Sequence, residues 1–192
     1  HVWSESKELD LEGFYSPLSS VWRKDAGEKL ISAWKKVMAL PYADRIIGCM
    51  PTAGGTSEWY YIPPFFRADK KTTLGHSKAF KREFSEYLRE TYKTDENLRK
   101  HWKIADATID NPPIPDYEQF YFAERVDEEI GIRSTNMLST APMPEPCGNG
   151  TNCGSFINCD KNMPVYDFLR AWHLGTAKSQ IYFAKLIKEI TP

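Results

Sequence analysis

At 192 residues, 41% apolar and 14% aromatic, the chain carries enough hydrophobic material for one sizeable core and does not have the composition of a disordered polypeptide. Its 25 basic and 26 acidic side chains leave a net charge of −1, which gives no electrostatic footprint for nucleic acid or an anionic membrane and favours neutral substrates. No run approaches the roughly 18 apolar residues of a membrane span. The start, His1-Val2-Trp3-Ser4, lacks the basic-then-apolar pattern of a signal peptide, although cytoplasmic and secreted settings both stay open.

Residues 1 to 18 show no sustained period and read as an extended approach segment anchored by Trp3, Phe14 and Tyr15. Ser19 or Ser20 then caps a helix from Val21 to Leu40, where Trp22, Ala26, Leu30, Ala33, Trp34, Val37 and Met38 recur at three- and four-residue steps. Pro41 stops it. Arg45 to Pro51 follows as a strand whose near-continuous apolar middle is that of a strand covered on both faces. After a glycine-rich turn at Gly54-Gly55, the rigid apolar run Ile62-Pro63-Pro64-Phe65-Phe66 leads to a second helix from about His76 to Tyr92. Phe80, Phe84, Tyr87, Leu88 and Tyr92 share one side of that helix. Thr94 caps a short third helix through Trp102, with Asn97 where a capping box has Glu or Gln.

Asp110-Asn111-Pro112-Pro113-Ile114-Pro115 breaks the third helix, and Tyr117 to Glu129 is again helical. Gly131 to Met163, rich in Pro, Gly, Ser and Asn, is a functional loop or an insertion. Pro164 opens a long amphipathic helix to about Ile190. There is no internal repeat. Helix, short loop and buried strand make half of an α/β repeat, yet one strand cannot complete a sheet. Either Leu9 to Tyr15 and the middle loop supply further strands, or these lie outside residues 1 to 192. A typical (β/α)₈ barrel takes about 250 residues. The expected fold is therefore α/β, a helix-rich partial (β/α)₈ TIM barrel.

The chemistry concentrates at Glu58, delivered by the glycine-rich turn into Trp59, Tyr60 and Tyr61. Partial dehydration disfavours the charged carboxylate and moves its pKa toward the range of a general acid. Aromatic faces are a platform for the C–H faces of a pyranose, and alternation puts Trp59 and Tyr61 on one side. The plainer alternative is a surface glutamate after a Gly-Gly turn with core aromatics behind it. Arg67 and Asp69 are loop residues within reach of sugar hydroxyls, or simply solvated. His76 and His101 read as a helix cap and a surface residue, His173 and Trp172 as core and groove. Cys147, Cys153 and Cys159 are evenly spaced through the Gly/Asn-rich loop, compatible with a disulfide, with unlinked thiols or, less naturally, with a metal. Asn149-Gly150-Thr151 is a glycosylation triplet, meaningful only in a secreted protein.

Three blocks resemble the catalytic barrel of the clan A retaining glycoside hydrolases that include the family 42 β-galactosidases. The first runs from Trp22-Arg23-Lys24-Asp25-Ala26-Gly27-Glu28 into Pro41-Tyr42-Ala43-Asp44-Arg45-Ile46-Ile47-Gly48 and is similar to the helix before the fourth strand. The second, Gly54-Gly55-Thr56-Ser57-Glu58-Trp59, is similar to that strand's catalytic end. The third, from Phe80 through Phe84, Tyr87, Leu88, Arg89 and Tyr92 to Leu98 and Trp102, is similar to the helix pair that follows.

The resemblance implies that Glu58 is the acid/base, with Ser57, Trp59 and Tyr61 contacting a β-galactoside-like carbohydrate. Ser57 replaces the family's asparagine and is too short to reach a sugar 2-hydroxyl as an amide does. The implied reaction is double displacement, with a second carboxylate about 5 Å from the first attacking the anomeric carbon. Nothing after Glu58 reads as a buried strand ending in Glu or Asp, which puts the nucleophile outside this chain. No cofactor or metal is implied. The resemblance makes residues 1 to 192 the central part of one catalytic barrel, with 131 to 163 as a loop insertion. The competing reading from a different class is a non-catalytic carbohydrate-binding partial barrel.

Overall fold

A computed structural model describes residues 9–11, 14–16, 18–51, 75–116, 119 and 159–191 of the chain. Two short strands, β1 (Leu9–Leu11) and β2 (Phe14–Tyr15), pair antiparallel with Leu9 opposite Tyr15 and Leu11 opposite Phe14. Among the described residues four α-helices follow: α1 (Ser20–Met38), α2 (Lys78–Tyr92), α3 (Asp95–Trp102) and α4 (Cys159–Ile190). The chain divides into two compact units. One comprises His1–Pro63, Leu74–Phe84 and Ala171–Pro192, the other Pro64–Thr73 and Ser85–Arg170.

In the first unit, α1 starts where the Ser19 hydroxyl accepts the Trp22 N–H at 3.0 Å, filling one of the donors that a helix start leaves open. Lys35 and Lys36 lie in its last turn, where their charge complements the helix dipole. Residues 171–190 of α4 run parallel to α1. Leu18 meets Gly175, the Arg23 guanidinium donates to Ser179 Oγ at 3.3 Å, and Trp34 Nε1 donates to Thr191 Oγ1 at 2.9 Å. Two glycines permit the close approach. A Cβ on Gly175 would lie 2.5 Å from Leu18 Cγ, and one on Gly27 would lie 2.8 Å from Leu186 Cδ1. Trp22 meets Phe183 edge-on, and Phe80 sits against both Phe84 and Trp172. Glu83 is largely buried between Arg23 at 3.6 Å and Lys178 at 3.4 Å.

In the second unit, Lys93 adopts a left-handed φ of 67° between α2 and α3, and Lys103 does the same at 59° after α3. Thr94 Oγ1 caps α3 by accepting the Asn97 N–H at 3.3 Å. The Asn97 amide does not close a capping box; it donates instead to the Tyr92 carbonyl at 3.0 Å. The return segment is held by Arg99 Nε on the Ala107 carbonyl and by the Ile109 N–H on Asp95 Oδ1. Leu88, Leu98, Ile109, Val165 and Phe168 are buried. Residue Asn162, at φ −132° and ψ 38°, interrupts α4 near its start. Pro164 therefore falls in the first turn of the long helix that follows, where its missing N–H breaks no bond.

The four helices agree with the periodicity of the sequence, but the expected α/β partial barrel is overturned: the described residues are mostly helical, with two short strands in an antiparallel ribbon and no barrel strand among them. Arg45 to Pro51 is not a strand. Ala43–Arg45 is a 3₁₀ turn, and residues 46–51 join no sheet. Ile47 is fully exposed and Met50 is 82% exposed. A strand draws its hydrogen bonds from a neighbour, and among the described residues the β1–β2 ribbon pairs only with itself. Apolar content alone could not supply that neighbour.

The buried stripe of α1 is also narrower than its pattern. Trp22, Gly27 and Trp34 are buried, while Ala33 is exposed. Residues 159–163, expected in the loop, belong to α4. Apart from Gln119, the helix expected at Tyr117 to Glu129 and the rest of the loop lie outside the described residues. No described helix is long and apolar enough to cross a membrane.

Candidate functional site

Glu58, Ser57, Trp59 and Tyr61 lie outside the described residues, as do Tyr60, Arg67, Asp69, Cys147, Asn149 and Cys153. The approach to them is described. The 3₁₀ turn Ala43–Arg45 ends with Ile46 in extended backbone, at φ −86° and ψ 114°, and the chain continues to Pro51. Beside it, in the first unit, is a cavity of about 350 Å³ lined by Trp22, Ala26, Leu30, Cys49, Met50, Pro51 and Phe183. Among the described residues of this lining the Cys49 thiol is the single ionisable group, and the rest is apolar.

The most fully formed polar arrangement is in the second unit, around Asp167. Its side chain is only 1% exposed. Tyr87 donates its phenol O–H to Oδ1 at 2.9 Å, while Oδ2 accepts the Tyr92 O–H at 2.6 Å and Trp102 Nε1–H at 2.8 Å. Placing these donors takes all three helical segments: Tyr87 and Tyr92 come from the end of α2, Trp102 from the last turn of α3, and Asp167 from the first half of α4. A buried carboxylate needs such partners, and hydrogen bonds to an ionised acceptor are among the stronger ones.

The tyrosines respond in turn. Burial, then the charge of Asp167 and its hydrogen bond, push the Tyr87 phenol well above its usual range. Burial, then the hydrogen bond to Asp167 and its charge, do the same to Tyr92. At the start of α4 the Cys159 thiol is also pushed up, first by burial and then by Asp167. These groups are held neutral, which suits them to donate hydrogen bonds and makes them poor bases or nucleophiles. With the carboxylate sealed and its donors in place, the cluster is an anchor for three helical segments.

The sequence reading placed Tyr87 and Tyr92 on one face of α2 but passed over Asp167. The available signal was an acidic residue directly beside Val165, Phe168 and Trp172, together with buried Tyr and Trp tips that need partners. Ser77, not His76, caps α2 by accepting the Phe80 N–H at 3.0 Å. His101 is exposed with its ring against Tyr92. His173, expected in the core, is exposed, and Trp172, expected at a groove, is buried in the core. Among the described residues, no cluster of three or more His, Cys, Asp or Glu side chains is arranged to hold a metal ion. Comparison with family models, curated proteins and solved structures finds no match for this chain.

Proposed function

We propose that this chain supplies the acid/base of a retaining glycosidase acting on β-galactoside-like carbohydrate. Glu58 is the proton donor and acceptor, Ser57, Trp59 and Tyr61 contact the sugar, and the nucleophile lies outside the chain. The observation that carries this reading is the sequence Gly54-Gly55-Thr56-Ser57-Glu58-Trp59-Tyr60-Tyr61, a single carboxylate delivered by a glycine turn into consecutive aromatics. Support comes from the third block of the resemblance. Its apolar positions Phe80, Phe84, Leu88, Tyr92, Leu98 and Trp102 are buried in α2 and α3.

In the proposed reaction the Glu58 proton passes to the glycosidic oxygen as the bond to the anomeric carbon breaks and the second carboxylate bonds to that carbon. Water then attacks the same carbon, returns a proton to Glu58 and displaces the carboxylate. This role requires the aromatic neighbours to keep bulk water from the carboxyl, which favours its protonated form for the first step.

A second reading, carbohydrate binding without cleavage, is favoured by one observation: nothing after Glu58 reads as an apolar strand ending in Glu or Asp. Glu58→Gln in the full-length polypeptide separates the two. Turnover of an alkyl β-galactoside, whose leaving group needs protonation, should fall at least roughly 10²-fold. A dinitrophenyl β-galactoside, whose leaving group departs unaided, should be cleaved with a much smaller loss in the first step. Unchanged turnover of the alkyl glycoside overturns the acid/base assignment. Sugar binding with no turnover of either substrate by the parent protein establishes the second reading.

A further inference from the structure

We draw no further inference here: the strongest candidate, the apolar cavity of about 350 Å³ between α1, Met50, Pro51 and Phe183 with the exposed Ile47 on the adjoining segment, carries nothing because nothing in the structure shows what covers it.

Discussion

Replacing Asp167 by leucine tests the anchor directly. The substitution leaves Tyr92 O–H and Trp102 Nε1–H, both on buried residues, without their acceptor. A buried donor left unsatisfied costs about 1–3 kcal/mol. Tyr87 is only partly buried and can turn its hydroxyl to water. Two orphaned donors therefore give about 2–6 kcal/mol, offset in part because a charge no longer has to be buried. We expect a net loss of about 3 kcal/mol, or a fall in Tm of roughly 6–12 °C for a chain of this size. Asp167→Asn keeps one carbonyl acceptor and should lose less. Urea unfolding of Asp167→Leu, Tyr92→Phe and the double variant forms the assay, with a coupling of about 1–3 kcal/mol expected between two directly bonded groups. Stability of Asp167→Leu within about 0.5 kcal/mol of the parent, or a coupling near zero, would refute the assignment of the cluster as an anchor.

The same cluster predicts an alkaline limit. Folded Tyr87 and Tyr92 hold their protons above the usual tyrosine range, while the unfolded chain releases them near pH 10. Their stabilisation is complete below that pH and declines above it, by about 2.7 kcal/mol per pH unit for the pair. Urea unfolding across this range should show a shallower decline in Tyr87→Phe/Tyr92→Phe, and an unaltered slope would contradict the prediction. At the α1–α4 contact, Gly175→Ala should destabilise by about 1–2 kcal/mol because its Cβ meets the branch carbon of fully buried Leu18. Gly27→Ala meets a terminal methyl of Leu186, and its gain in helix propensity should bring it near neutral; thermal melts that rank the two the other way would count against the packing described. Loss of the α1 cap in Ser19→Ala should cost about 1 kcal/mol in denaturant unfolding, and no measurable change would show that the Ser19–Trp22 bond is immaterial.

The helices were legible because their signals are local. Spacing of Phe80, Phe84, Leu88 and Tyr92 marks one face of α2, and Ser19 and Thr94 mark starts that the structure reproduces. Arg45 to Pro51 was misread because an apolar run has the same appearance whether or not a sheet exists to receive it. Asp167 was missed for a related reason. Its meaning depends on Tyr87, Tyr92 and Trp102, which lie 80, 75 and 65 positions away. Glu58 is a candidate on local grounds alone, a glycine turn followed by aromatics, and lies outside the described residues.

The parallel pairing of α1 with the last turns of α4 has a consequence for biosynthesis. Arg23 and Ser179 are separated by 156 positions, and Trp34 and Thr191 by 157, so α1 leaves the ribosome long before the helix that covers it exists. Asp167 finds its three donors at about half that distance. During vectorial synthesis the Asp167 assembly can close first, while Trp22 and Trp34 await Phe183 and Thr191. In that interval both indoles lack their α4 contacts, and incompletely covered aromatic surface of this kind is what chaperones recognise.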